Sequence, residues 1–440
     1  MRSLPIAAIP AAKSLQSLPD WLSWLETLSP REIDLGLERV LEVLGRLELE
    51  EPARVFHVAG TNGKGSCAAM LEALLLDGGR GVGCYTSPHL LRYNERIRVN
   101  GVPADDGEIV AAFRAVESVR QGLPLTYFEF GTLAALVVFE RSGADTLVLE
   151  IGMGGRLDAV NAVEPDAGII TNVARDHCEW LGSDVETIAV EKAGIMRRGK
   201  PVIFGSDIVP AAITAVAAKV GADLRILGRD FSFVRDAKAG FWTWRGRGVV
   251  LEGLAVPSLT GRFQLQNASA VLALLEVTGE ADLLNRDSVS GTLQRLSVAG
   301  RFQWLGAHRR WLLDVAHNPH AAAALAESLS ALAPRRPVTA IIGVLADKEL
   351  AGIVAPLVPH VDRFIAVTAH SPRALEARAL AQSIAHLSNK PCLIMEDLAE
   401  AMSYANHVAD EDALILITGS FYTVGPALEE WHRKHHETGW

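Results

Sequence analysis

Apolar positions recur at helical spacing from Leu18 to Leu47, with Leu, Trp, Ile and Val on one side of the period. Pro30 breaks that run and Asp34 stands where it can cap the next helix, so two helices are predicted before any strand. Short β-branched runs then alternate with amphipathic stretches. Strands are predicted at 54–59, 81–86, 146–151, 167–171 and 201–204, and helices after Ser66 and over 106–121 and 127–142. This alternation predicts a parallel, doubly wound α/β sheet. Between 227 and 257 the pattern changes: Phe231, Phe233, Phe241, Trp242 and Trp244 alternate around glycine turns, as in a small antiparallel β meander. A second α/β series comes after it, with strands at 310–314, 338–343, 363–367 and 413–418. The boundary is expected between Ala299 and Gly300, dividing the chain into 1–299 and 300–440.

Length and composition agree with that division. A chain of 440 residues exceeds what one core usually serves, and 49% hydrophobic residues can fill two. The net charge of -10 argues against a general nucleic-acid binder, since basic residues cluster only as the pairs Arg197-Arg198, Arg309-Arg310 and Arg335-Arg336. Cys67, Cys84, Cys178 and Cys392 form no CxxC pair and no metal-ligand spacing, which suits a reducing compartment. Pro5, Pro10 and Lys13 interrupt any signal-peptide core, and no apolar run reaches membrane-spanning length. A cytoplasmic protein with no membrane partner is expected, and nothing in the sequence demands more than a monomer.

The strongest chemical signal is the run from Val55 to Ser66, where an apolar strand breaks into Gly60-Thr61-Asn62-Gly63-Lys64-Gly65-Ser66 before an Ala/Leu helix pattern. Glycines let successive backbone N–H groups converge on an anion, the helix N-terminus adds partial positive charge, and Lys64 can neutralise outer phosphates. ATP or GTP is the expected ligand. The ordinary phosphate-loop pattern has Ser or Thr directly after the lysine, whereas Gly65 intervenes here; a plain glycine turn is the competing reading.

Other polar residues fall where predicted strands end, which is where α/β sheets bind ligands. They are Thr86-Ser87-Pro88-His89, Glu150, Thr171-Asn172 and Asp176-His177. A hydroxyl, a carboxylate and an imidazole on adjacent loops can hold a divalent ion beside phosphates. Taken singly, Ser87 reads as a helix cap, Glu150 as a solvated strand end and His177 as a satisfied loop histidine. The run Gly152-Met-Gly-Gly-Arg-Leu-Asp158 suggests close backbone approach to a ligand, with Arg156 and Asp158 as polar handles. Lys192 could lie on a solvated helix end. In the second series Asn318 reads as an N-cap with Pro319 at the first helical position.

In order along nearly the whole chain, these segments resemble the Mur ligase superfamily and, within it, the dihydrofolate synthase/folylpolyglutamate synthase family. The resemblance is carried by Ile33 to Arg39, Ala59 to Ser66, Thr86-Ser-Pro-His-Leu90, Asn94-Glu-Arg-Ile97, Gly152 to Asp158, Asp176-His177, Glu191-Lys-Ala-Gly-Ile195, Gln266-Asn267, Gly300-Arg-Phe302 and Asp314-Val-Ala-His-Asn-Pro319. The family's phosphate loop also has glycine after lysine. The resemblance implies a P-loop nucleotide-binding domain, a smaller Rossmann-like C-terminal ligase domain, and an active site in the cleft between them.

It further implies ATP with magnesium, and admits a monovalent cation. Thr61, Asn62, Gly63, Lys64, Gly65 and Ser66 would hold the phosphates, with Asn267, Arg301 and Asp314 on the nucleotide. Ser87, Glu150 and His177 match the family's metal ligands. Thr27, Leu28, Ser29 and Pro30, then Thr126, Tyr127, Phe128 and Glu129, then Leu157, Asp158 and Ala159, fall where the family binds the pterin substrate. Lys64, Lys192 and His317 match positions with catalytic parts, Lys192 as a lysine that can be carbamylated and His317 near the incoming amino acid. The implied activity is ATP-driven ligation of L-glutamate to dihydropteroate and to tetrahydrofolate through an acyl phosphate. A peptidoglycan-precursor ligase is the nearest rival, against which Ser87 to Leu90 and Asn94 to Ile97 speak. A nucleotide-gated binding protein without ligase chemistry is the rival from another class, and it has no use for Asp314 to His320.

Overall fold

The computed structural model describes residues 15–29, 34–236, 240–306, 308–332, 336–410 and 412–435. Its first sheet has eight strands: β1 (Arg54–Ala59), β2 (Val82–Tyr85), β3 (Ile97–Val99), β4 (Val102–Pro103), β5 (Thr146–Glu150), β6 (Ala167–Ile170), β7 (Pro201–Phe204) and β8 (Asp223–Ile226). Their order is β4-β3-β2-β5-β1-β6-β7-β8. The six from β2 to β8 in that order run parallel, and β3 and β4 add an antiparallel edge that periodicity does not predict. The chain leaves β1 towards β2 and later returns to its other side as β6, so the sheet reverses its winding at β1. Ligands bind at such a crevice beyond the carboxyl ends of the strands. The register fits: Val58 lies opposite Glu150 and Ala59 opposite Ile170.

Successive side chains of β1 enter the cores on opposite faces of the sheet. Val55 and Ala59 join the core under the Leu18–Leu28, Asp106–Arg120 and Tyr127–Ser142 helices, while Phe56 and Val58 pack beneath the Lys64–Asp77 and Arg262–Val277 helices. Both faces of the sheet are therefore covered, as a parallel sheet requires. The meander appears as β9 (Ser232–Arg235), β10 (Phe241–Arg245) and β11 (Val250–Ala255), ordered β11-β10-β9. Trp242 and Trp244 are fully buried, and the Trp244 indole donates to Ser269 O at 3.2 Å, which fastens the meander to the Arg262–Val277 helix.

The second sheet comprises β12 (Gln303–Leu305), β13 (Trp311–Leu313), β14 (Val338–Ile342), β15 (Arg363–Ala366), β16 (Cys392–Ile394) and β17 (Leu414–Thr418). Its order is β12-β13-β17-β14-β15-β16, parallel except for β12. Helices cover both faces here too. The expected fold class, a doubly wound α/β domain with a small β subdomain and a smaller C-terminal α/β domain, is the observed one. Among the described residues no helix is long and apolar enough to cross a membrane.

Two local expectations change. The helix after the phosphate loop begins at Lys64, because Gly63 at φ +87 turns the chain directly into it. Asp34 caps nothing: the second helix begins at Glu38 with Leu37 at its N-cap, and Asp34 instead pairs with Arg39 at 2.9 Å. Pro30 and Ile33 lie outside the described residues.

His57 in the central strand is fully buried and neither ring nitrogen has a partner. Burial, aided by Arg197, lowers its pKa from 6.5 to about 3. The group is neutral in both states above pH 6.5. Below that pH the unfolded chain takes up a proton that the folded chain refuses, so stability falls by about 1.4 kcal/mol per pH unit. His57→Leu should remove this acid sensitivity, shrinking the loss between pH 7 and 4.5 by about 2 to 3 kcal/mol in urea unfolding of the first domain. An unchanged acid limb would show that His57 does not set it.

Candidate active site between the two sheets

The phosphate loop is strapped to the end of β6. Thr61 N donates to Asn172 O at 3.0 Å, Ala174 N to Thr61 Oγ1 at 2.9 Å, and Thr171 Oγ1 and Asn172 Nδ2 donate to Asn62 O at 2.7 and 2.8 Å. A Cβ at Gly60 would lie 1.8 Å from Thr171 Oγ1, so only glycine admits this approach. Lys64 Nζ donates to Thr61 O at 3.3 Å and curls over the loop. On the far side Gln264 Nε2 donates to Ser66 Oγ at 3.3 Å and Asn267 Nδ2 to Gln264 Oε1 at 3.0 Å, tying the loop to the Arg262–Val277 helix. The result is a rigid concavity of backbone N–H groups at a helix N-terminus, which suits a polyphosphate.

Beside it stands Glu150 at the end of β5, only 3% exposed, accepting from Ser87 N at 3.1 Å. Burial raises its carboxyl above the ordinary range, against the pull of Lys64, the Ser87 N–H and Arg301. His177 lies on the loop after β6 with its side chain 40% exposed, facing the cavity; desolvation by the cavity walls lowers its pKa to about 4, so its imidazole is neutral with a lone pair to offer. Among the described residues no three His, Cys, Asp or Glu side chains form a complete metal cage. Ser87, Glu150 and His177 line the same cavity and offer a hydroxyl, a carboxylate and an imidazole, a donor set that a divalent ion could complete with phosphate and water oxygens.

A further lobe is lined by Thr126, Tyr127, Phe128, Glu129, Leu157, Asp158, Ala159 and Ser29. Thr126 and Glu129 form a capping box at the start of the Tyr127–Ser142 helix, and Arg39 pairs with Glu129 at 2.9 Å. Asp158 accepts from Met153 N at 2.8 Å and Val160 N at 3.0 Å; burial lifts its pKa to about 6 despite these donors. Thr27 and Leu28 do not line the cavity: Thr27 Oγ1 turns back to Trp24 O at 2.7 Å and Leu28 packs against the core.

Arg156 is not a handle for a ligand here. It pairs with Glu191 at 2.8 Å, and Gly155 and Gly194 let the loop and the end of the Val185–Ala193 helix touch, since a Cβ at either would sit 2.7 Å from Glu191 O or 2.4 Å from Arg156 Cα. Lys192 is no solvated helix end either. It is 4% exposed behind the phosphate loop, where Nζ donates to Gly60 O at 3.0 Å, and burial with Lys64 nearby lowers its pKa to about 7.

The second sheet closes the site. Arg301 and Asp314 face the loop, with Asp314 accepting from Phe302 N and Ala316 N, each at 2.9 Å. Asn318 caps the Pro319–Ser330 helix and also donates to Asn62 Oδ1 and Asp176 Oδ2, each at 2.9 Å. Lys348 Nζ donates to Asp176 Oδ1 at 2.8 Å, and His317 Nε2 lies 3.5 Å from Asp176 Oδ2. Burial opposes the Asp176 charge, but His317, His177 and Lys348 outweigh it and hold the carboxyl well below its usual range. Together the two halves enclose a cavity of about 1250 Å³. Sequence reasoning missed Lys348 and the bridging part of Asp176 and Asn318. For Lys348 the available signal was its place just beyond the carboxyl end of β14.

Two family models match the chain, the Mur ligase middle domain over residues 58–275 and the Mur ligase glutamate ligase domain over residues 300–421. Fold and site are those of a Mur ligase. The dihydrofolate synthase/folylpolyglutamate synthase of Escherichia coli (strain K12) is 41% identical over 416 residues, covering 94% of this chain and 95% of that protein. Its counterpart in Mycobacterium tuberculosis is 32% identical over 448 residues, covering 92% and 91%. The solved structure of E. coli FolC in complex with DHPP and ADP superposes with a TM-score of 0.90 at 39% identity, over 97% of this chain and 100% of that one. The Yersinia pestis bifunctional enzyme complexed with AMPPNP and Mn ion gives 0.88 at 40%, over 96% and 99%. The chain belongs to the dihydrofolate synthase/folylpolyglutamate synthase family.

Lys348→Ala would leave Asp176 without its ammonium partner, at an expected loss of about 3 to 5 kcal/mol in the closed arrangement. Small-angle scattering should then report a larger radius of gyration than the wild type, and residues 295–301 should be cut faster by protease. An unchanged scattering profile would mean that the clasp does not hold the halves together.

Proposed function

We propose that this protein joins L-glutamate to 7,8-dihydropteroate, forming dihydrofolate, and to tetrahydrofolate, forming polyglutamates, with ATP as the driving substrate. One observation carries the reading: a single cavity is lined at once by the phosphate loop, an aromatic slot and the Asp314 to His320 run of the other sheet. An ATPase switch has no need of the last two. The reading treats 1–299 and 300–440 as the two domains, and the protein as a cytoplasmic monomer acting on small molecules, not on nucleic acid or membranes.

A carboxylate is a poor acyl donor at neutral pH. One of its oxygens attacks the γ-phosphorus of ATP, ADP leaves, and an acyl phosphate results; the glutamate nitrogen then attacks the acyl carbon, phosphate departs and the amine gives up a proton. The protein's contribution is positioning and charge. Residues Thr61 to Ser66 cradle the phosphates, Lys64 and Arg301 spread the charge that develops on them, and Asn267 and Asp314 place the nucleoside. Ser87, Glu150 and His177 would hold a divalent ion, for which magnesium is the hard cation proposed, and which when bound neutralises phosphate oxygens. Ser29, Thr126 to Glu129 and Leu157 to Ala159 form the slot for the acceptor, to which Thr27 and Leu28 add only as neighbours in sequence. The His317 Nδ1 lies 2.8 Å from Val315 O, which can only accept, so Nδ1 carries a proton, while Nε2 faces Asp176 at 3.5 Å. Closure by the second sheet keeps water from the acyl phosphate.

ADP formation with ATP, magnesium and glutamate should depend on dihydropteroate or tetrahydrofolate as acceptor. Turnover only with a UDP-sugar peptide would move the protein to the cell-wall branch, and acceptor-independent hydrolysis would remove the ligase reading. Lys64→Ala should lower turnover at least about 1000-fold with the fold intact. We further propose that Lys192 is carbamylated. Its pKa of about 7 makes the neutral, reactive amine the main form above neutrality. Carbamate should therefore grow in as pH rises through about 7, visible by carbon NMR with labelled bicarbonate, and Lys192→Ala should be inactive until a short-chain acid is supplied. Full activity of that variant would exclude the modification from catalysis.

A further inference from the structure

Five cationic side chains other than histidine line the cavity. Lys64 belongs to the phosphate loop, Arg301 lies in the field of Asp314 and Glu150, Lys348 pairs with Asp176, and Arg373 pairs with Asp347. Arg96 differs from all of these. No Asp or Glu among the described residues pairs with it; its hydrogen bond runs from Nε to His89 Nδ1 at 2.8 Å. Its guanidinium carbon lies 5.4 Å from the Tyr93 ring centroid and 5.7 Å from that of Tyr127. Stacking on two phenol faces orients a planar fork, which is the geometry that grips a carboxylate.

Its backbone fixes where that fork acts. Arg96 ends the Tyr93–Arg96 turn just before β3, and Thr86 N donates to Arg96 O at 2.9 Å. The next residue after Thr86 is Ser87, which touches Glu150 beside the phosphate loop. Arg96 thus stands between the phosphates and the aromatic slot. Resting on the ligase reading, the two acceptors differ there in one respect. Dihydropteroate brings a single carboxylate, the one that reacts. A folate already bearing glutamate brings a second, the α-carboxylate, which does not react yet must sit a short methylene spacer from the γ-carboxylate that does. That extra anion enters a cavity already holding a triphosphate, so it needs a cation not otherwise engaged.

We propose that Arg96 holds the spectator α-carboxylate of glutamylated folate acceptors, and so determines specificity for chain extension relative to the first ligation. The test compares wild type, Arg96→Gln and Arg96→Lys with dihydropteroate, with tetrahydrofolate, and with a tetrahydropteroyl acceptor in which 4-aminobutyrate replaces glutamate. That analogue keeps the reacting carboxyl and lacks the spectator. The ratio of kcat/KM for tetrahydrofolate to that for dihydropteroate should fall about 10- to 100-fold in Arg96→Gln, chiefly through KM, with Arg96→Lys intermediate. On the analogue the wild type should already show the raised KM, and the variants should add little. Equal losses on both natural acceptors, or an equal loss on the analogue and on tetrahydrofolate, would overturn the proposal. A wild type that uses neither natural acceptor would instead overturn the ligase reading, and a wild type that uses dihydropteroate alone would overturn the α-carboxylate assignment while leaving that reading standing.

Discussion

The Asp176 carboxylate is the contact on which the cavity depends, because it is where the first sheet's loop meets the second sheet. Three groups from the other half, Lys348, Asn318 and His317, converge on its two oxygens. Taking such a charge out of water is expensive, and attraction alone repays it only when the remaining lone pairs are also satisfied. Here they are, and Asn318 has a second duty, since its Oδ1 accepts from Ala321 N and starts the Pro319–Ser330 helix. The same residue therefore sets a helix and closes a cleft, and the Asn62–Asn318 pair ties that closure directly to the phosphate loop.

Closure changes the chemistry of the groups inside. Burial pushes the carboxyls of Glu150 and Asp158 up and the bases His177 and Lys192 down, each toward its neutral form. A site lined this way carries less fixed charge than its composition suggests and leaves its strongest demand to be met by incoming ligands. Lys64 lies among these groups, so an anion seated on the loop supplies the counter-charge that the protein does not. Such an anion favours the protonated form of every neighbour, charging Lys192 and His177 while keeping Glu150 and Asp158 neutral.

Much of this was legible in the sequence, for identifiable reasons. A phosphate loop is a local object: glycines at fixed offsets between a strand and a helix determine its shape, so residues 60–66 could be read without knowing the fold. The meander was legible because Trp242 and Trp244 share one face of a short strand with period two. The edge strands β3, β4, β12 and β16 were not, since two or three residues hold too little pattern. Arg156, read as a polar handle, was misplaced for a different reason. A glycine run announces close approach but not what approaches, and here it is another stretch of backbone. Lys348 was invisible because its partner lies 172 residues away in sequence.

The antiparallel edge that periodicity missed has a structural consequence for the reaction. Because β3 returns beside β2, the end of one strand carries both Ser87 and, through a single backbone hydrogen bond, Arg96. Two residues that line the cavity thereby share one support. The second sheet in contrast brings Arg301, Asp314 and His317 to the same cavity. The first sheet thus fixes the spacing between the phosphate loop and the aromatic slot, and the second sheet closes the cavity over both.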